Sequence, residues 1–330
     1  MKTRKIGSHE VAEIGLGCMS LSHAYGVPPS REEAERVLLR ALDLGVTHFD
    51  TAALYGFGKN EELVGAVLRP HRARIHLASK CGMTGVNGVR VIDGRPETLL
   101  KTIDQSLQRL QTDVIDLYYL HRFDKKVPIE ESVGAMSQMV KAGKVRALGL
   151  SEVSAATLRK AHAVHPIAAI QTEYSLWTRN PEVALVDACA ALGVALVAFS
   201  PVARGFLADG ISDPASFAEK DIRRGMPRFQ SPHFEKNLEL LKAFRSLARK
   251  ADCTPAQLAL VWLLRQRNFI VPIPGTTSLA HLSENIGASG TDVPEELLQQ
   301  ADALVNAHTV SGPRYPAATQ LEIDTEEVPA

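Results

Sequence analysis

Four side chains in the N-terminal half of the chain, Asp50, Tyr55, Lys80 and His121, have the types and spacing to deliver a proton. A phenol titrates near pH ~10, so it is a weak acid at neutral pH unless its phenolate is stabilised. A cation within hydrogen-bond reach does that, and a carboxylate behind the cation keeps it charged and in place. An imidazole nearby orients a carbonyl oxygen or shares the proton. One coherent assignment makes Tyr55 the general acid, Lys80 its tuner, Asp50 the anchor and His121 the orienter. Each residue alone has a plainer reading: Asp50 as a turn former, Lys80 as a surface lysine, His121 satisfying a carbonyl, Tyr55 packing on a helix.

The coincidence depends on the elements that carry them. Asp50 ends the apolar run 46–50, Lys80 ends 75–80, and His121 follows 115–120. The separations of 30 and 41 residues are each about one strand–helix unit. Gly7-Ser8 reads as the turn of a small hairpin within 1–13. Ile14 to Met19, interrupted by Gly15 and Gly17, suits a buried strand that something approaches closely. Ser30 and Glu33 form a capping box that opens a helix, which Gly45 stops. Strands then alternate with helices at 60–68, 97–110, 129–142, 154–164 and 181–192, with further strands at 145–150, 168–172 and 194–199. An irregular stretch, 201–233, follows. Helices 235–250 and 255–267, strand 269–272, helices 278–287 and 294–306 and a polar tail complete the chain.

That count gives eight strands, each followed by a helix. It predicts an α/β fold, a (β/α)8 TIM barrel with an N-terminal β-hairpin, an extra C-terminal helix and a tail, as a single domain over 1–330. An open doubly wound sheet would be favoured by GxGxxG after the first strand, and Gly15-Leu16-Gly17 does not continue that fingerprint. In a parallel barrel all strand C-termini share one face, so the four residues must sit together there.

Composition narrows the partners. Lys+Arg 37 against Asp+Glu 37 gives no net charge, which argues against nucleic acid and anionic membranes. No apolar run reaches the roughly 18 residues of a membrane span, and no apolar signal core follows the N-terminus. Cys18, Cys81, Cys189 and Cys253 show no CxxC spacing, and the histidines no HExxH, so no metal is expected and a cytoplasmic protein is. The pairs His71/His76 and His162/His165 read as surface. Oligomeric state is not legible.

Together, Gly15-Leu-Gly-Cys-Met, Phe49-Asp-Thr-Ala, Tyr55-Gly, Lys80, Asp116-Leu-Tyr-Tyr-Leu-His121, Gly149-Leu-Ser, Gln171-Thr-Glu-Tyr174, Ser200-Pro and Ile273-Pro-Gly-Thr resemble the aldo-keto reductase family over essentially the whole chain. Glu173 to Arg179 and Ala161 to Pro166 are most similar to its branch containing pyridoxal reductases and perakine reductase. The resemblance implies hydride transfer from NADPH, with NADH possible, to a small-molecule aldehyde or ketone. It puts the catalytic tetrad on Asp50, Tyr55, Lys80 and His121. It further implies Ser151 and Gln171 on the carboxamide, Tyr174 under the nicotinamide, and Ser200, Arg204 and Gly205 along the pyrophosphate. Gly275, Thr276, Thr277 and Ser278 would receive the adenosine phosphate, with Glu284 and Asn285 at the adenine. Backbone amides where a loop enters a helix are an anion site. Where the family often has Lys or Arg after Ile-Pro-Gly-Thr, this chain has Thr277 and Ser278, and His281 stands one turn on as a partial replacement. Glu152 stands where asparagine is common.

Two other readings compete: a non-catalytic nicotinamide-binding regulatory subunit, as in the potassium-channel β-subunits similar to this family, and a barrel aldolase with Lys80 as Schiff-base nucleophile. The pocket is expected between Met19–Pro28, 201–233 and 311–316, with Tyr25, Trp177, Phe229 and Tyr315 as substrate contacts.

Overall fold

Strands with both faces buried read as unbroken apolar runs, because one face meets the barrel interior and the other meets helices. The structure, a computed structural model, describes residues 1–86, 89–208 and 210–328. Its eight-stranded parallel sheet runs β3 (Leu16–Gly17), β4 (His48–Asp50), β5 (His76–Cys81), β8 (Ile115–Leu120), β9 (Val145–Ser151), β10 (Ile167–Glu173), β11 (Ala195–Phe199) and β12 (Ile270–Pro272) in spatial order. The Gly15 amide donates to the Pro272 carbonyl at 2.9 Å and joins the two ends, giving the (β/α)8 barrel. The glycines allow this closure: a Cβ on Gly17 would stand 2.9 Å from the Ile273 carbonyl oxygen. What approaches the Gly15–Gly17 strand closely is therefore the last strand.

Helices α1 (Arg31–Asp43), α2 (Lys59–Leu68), α3 (Pro96–Leu110), α4 (Ile129–Lys141), α5 (Ala155–Val164) and α6 (Leu185–Leu192) follow the strands, then α7 (His233–Lys250), α8 (Pro255–Gln266), α9 (Leu279–Gly287), α10 (Glu295–Leu304) and the short α11 (Ala317–Gln320). The Ser30–Glu33 capping box forms as expected. Leu77 and Cys81 face the helices while Ala78 lies in the barrel interior with Leu117, Tyr119, Ala169, Val197 and Val271. The hairpin β1 (Thr3–Ile6) and β2 (His9–Ala12) joins that interior group through Ile6 and Val11.

Three local expectations are revised. The helix expected at 181–192 is a 3-10 turn, Asn180–Glu182, then α6, since Pro181 suits only a first turn. A hairpin unseen in the sequence, β6 (Met83–Val86) and β7 (Val89–Ile92), rises between β5 and α3. His76 is buried and shares a hydrogen bond, Nδ1 to Nδ1 at 2.9 Å, with His48. Its position in an all-buried strand overrides the surface reading of a lone polar residue. Among the described residues, no helix is long and apolar enough to cross a membrane.

Candidate active site

Strand alternation carries His76, Ala78 and Lys80 to one face of β5, so the lysine enters the barrel mouth from inside. Lys80 has no solvent exposure. Its ammonium is ion-paired with Asp50, donates to the Thr51 carbonyl at 2.7 Å and reaches the Tyr55 hydroxyl at 3.1 Å. Asp50 accepts from the Gln171 side-chain amide through its other oxygen at 2.7 Å. His121 lies edge-on to the Tyr55 ring, centroids 5.7 Å apart. The four residues picked from spacing are one cluster.

A short left-handed turn presents the phenol. Gly56 and Phe57 have φ of 57° and 53° within the 3-10 segment Tyr55–Gly58. Buried polar side chains of α2 fix it from below. Asn60 accepts from Thr51 Oγ1 at 2.6 Å and donates to the Cys18 carbonyl at 2.9 Å. Glu61 accepts from Ser79 Oγ at 2.5 Å and Arg109 Nε at 2.7 Å. In the sequence, Asn60 and Glu61 signal only a helix start.

Burial sets the protonation states. It pushes the Tyr55 phenol up, and the Lys80 charge offsets only part of this, so the hydroxyl keeps its proton at neutral pH. The sequence reading gave the lysine the larger effect. Burial alone would lower the Lys80 amine, but the Asp50 carboxylate outweighs it and holds the ammonium charged. Burial, then the neighbouring Arg122 and Lys80 charges, holds His121 well below its usual value, so its imidazole is neutral.

A cavity of about 680 Å³ opens over this cluster. Asp50, Tyr55, His121, Ser151, Gln171, Ser200, Arg204, Gly205, Gly275, Thr276, Thr277, His281, Glu284 and Asn285 all border it. Ser200 and Arg204 adopt positive φ, 50° and 56°, in a tight turn along its wall. Ser278 is just behind: its hydroxyl caps α9 by accepting from the His281 amide at 3.3 Å. Tyr174 is a correction. Three residues after the inward Gln171, it has the opposite parity and turns outward. There it donates to Glu182 at 2.7 Å and meets the edge of Trp262 at 5.8 Å, bordering a separate cleft. Phe199, at the end of β11, borders the site cavity and was missed; its place directly before Ser200-Pro201 was the available signal. Tyr25 and Tyr315 line the cavity as expected, whereas Trp177 and Phe229 are buried around Phe206 as packing.

The tail closes one side. Glu152, held below its usual value by Arg314 despite full burial, pairs with that arginine at 2.6 Å. Glu173 accepts from Arg204 at 2.7 Å and Arg314 at 2.9 Å. Burial would raise its carboxyl, but Arg204 and then Arg314 hold it at about 2. Arg204 also donates to the Tyr315 hydroxyl at 3.0 Å. The Glu152 departure is thus an anchor for the tail.

The model of the aldo/keto reductase family matches residues 13–306. The chain is 41% identical, across 99% of itself and 98% of the relative, to "Aldo-keto reductase yakc [NADP(+)]" of Schizosaccharomyces pombe. It is 42% identical to "Probable aldo-keto reductase 1" of Glycine max over 94% of itself and 91% of that protein. Among solved structures, a glycerol dehydrogenase from Gluconobacter oxydans superposes with a TM-score of 0.85 at 28% identity, covering 96% of this chain and 98% of that one. An aldo-keto reductase from Bacillus halodurans gives 0.77 at 27% identity, over 96% and 99%. The chain belongs to the aldo/keto reductase family and is an oxidoreductase.

Proposed function

We propose that this enzyme reduces an aldehyde or ketone with hydride from NADPH, Tyr55 protonating the carbonyl oxygen. The observation that carries this reading is a protonated, nearly buried phenol, 3.1 Å from a lysine that Asp50 keeps charged, at the mouth of the cavity. Neutral His121 is suited to donate a hydrogen bond to the same oxygen. Lys80 and the Asp50 carboxylate behind it stabilise the phenolate left by proton transfer, in a site where burial strengthens every charge interaction.

A nicotinamide cofactor fits the residues present. Ser151 and Gln171 offer polar atoms, and Phe199 an aromatic face, near Tyr55. The turn at Ser200–Gly205 and the loop entering α9 offer backbone amides to phosphates. When bound, the cofactor supplies the hydride; the chain's residues hold it, exclude water and deliver the proton. We assign Phe199 the stacking role that Tyr174 cannot fill from its outward position. Thr276, Thr277 and His281 surround the place for a 2′-phosphate, without lysine or arginine, so NADPH is preferred over NADH by a small margin.

The test is NADPH consumption with a panel of aldehydes and ketones, alongside cofactor titration. Turnover with several carbonyls supports the proposal. Tight cofactor binding with no turnover of any of them would instead favour the regulatory-subunit reading. The Schiff-base alternative requires a neutral amine, and the paired Lys80 is charged.

A further inference from the structure

We propose that Arg122 recognises an anion and that the substrate is a carbonyl compound bearing a carboxylate; this rests on the reductase reading above. Four arginines border the site cavity: Arg90, Arg122, Arg204 and Arg223. Three are neutralised by the protein. Arg204 is on Glu173 at 2.7 Å, Arg223 on Asp221 at 2.6 Å, and Arg90 on Glu322. Arg122 has no carboxylate within ion-pair distance among the described residues. Its Nη1 donates to the His121 carbonyl at 2.7 Å and to Ser151 Oγ at 3.3 Å. Its Nε is shut off from solvent without an acceptor.

The other charges at this end cancel or vanish. Lys80 is balanced by Asp50. Burial holds both His121 and His23 down, toward neutrality. The buried Glu152 carboxylate feels the Arg122 charge at longer range but is itself paired with Arg314, so Arg122, directly after His121 in sequence, is the cavity arginine left without a contacting carboxylate among the described residues. Because Nε is closed off, the donor left for a ligand is Nη2, which is not shut off from solvent and has no protein acceptor among the described residues. A carboxylate accepting from Nη2 makes a charge-assisted hydrogen bond there. Bound there, the substrate's acid group would fix which end of the molecule faces Tyr55. Arg122 also places positive charge near the phenol, so a purely electrostatic role on Tyr55 is the rival explanation.

Matched substrates separate the two roles: 4-carboxybenzaldehyde against its methyl ester, and glyoxylate against methyl glyoxylate. The wild-type enzyme should favour each acid over its ester by about tenfold or more in kcat/KM, the scale of a charge-assisted contact. Arg122→Gln should collapse that ratio toward one, mainly through a higher KM for the acids, and Arg122→Lys should restore part of it. Cofactor titration checks that each variant is folded. No preference for the acids in the wild type would overturn the proposal, even if Arg122→Gln failed to fold. An equal loss for acid and ester in Arg122→Gln, with a shifted pH profile, would assign the residue to Tyr55 instead. No turnover of acids or esters would refute the reductase reading itself, a separate outcome.

Discussion

At the residue scale, the chain fixes its chemistry by choosing what to leave unbalanced. Lys80 is balanced by Asp50 and aimed at Tyr55, whereas Thr276, Thr277 and His281, at the proposed phosphate end of the cavity, include no lysine or arginine. Ser278 caps α9 beside Thr276 and Thr277, so a lysine there adds charge next to the proposed 2′-phosphate position. Ser278→Lys is expected to tighten NADPH relative to NADH by about tenfold, a charge-assisted contact less the small cost of the lost cap. Paired titrations of the two cofactors measure this, and an unchanged ratio would put the phosphate elsewhere. The clustering of Asp50, Tyr55, Lys80 and His121 was legible because their spacing matched the strand–helix period. Tyr174 was misplaced because a motif match says nothing of parity along a strand. Arg122 gave no signal in the sequence, since its lack of a carboxylate partner is a fact of three dimensions.

At the scale of elements, the tail is a structural member of the site. Asp324 accepts from Ser154 Oγ at 3.0 Å and Thr157 Oγ1 at 2.6 Å, and Lys125 donates to the Ile323 carbonyl at 2.8 Å. These contacts hold Arg314 between Glu152 and Glu173. Arg314→Met leaves two buried carboxylates short of a partner and should cost about 3–5 kcal/mol, read by denaturant unfolding. Adding Glu152→Gln should recover part of that loss through coupling between the two sites, whereas strictly additive effects would mean that the pair is not the anchor. The strands, helices and 201–233 stretch were legible from apolar runs and caps. The β6–β7 hairpin was overlooked although Asn87-Gly88, between Val86 and Val89 with Thr84 and Val91 beyond them, is a two-residue hairpin signal in the sequence. The tail's docking depends on charges more than 140 residues apart, which no local pattern reveals.

For the whole molecule, one barrel interior serves two ends with opposite demands. The mouth needs a charged lysine, while the floor buries His48 and His76 against each other beneath the hairpin. Burial lowers both imidazoles, His76 also feeling His48, so the folded state keeps them neutral. The unfolded chain takes up protons near pH ~6.5, so stability from this pair is full above that value and is lost as pH falls below it. The slope for each histidine is at most about 1.4 kcal/mol per pH unit. Melting temperature should therefore drop between about pH 7.5 and 5.5, less so in His48→Gln. An identical slope in the variant would remove the pair from the explanation. The barrel itself was legible from its eight repeats; this floor was not, because His76 was read as surface together with His71 and nothing local pairs it with His48 in the neighbouring strand. In the proposed reaction Tyr55 donates the proton while the rest of the site holds the cofactor. Tyr55→Phe, assayed for NADPH binding and for single-turnover carbonyl reduction, tests it most directly. Binding within about twofold of wild type with reduction slowed by at least ~10²-fold is the predicted result. Reduction at the wild-type rate, or binding and reduction lost together, would contradict it.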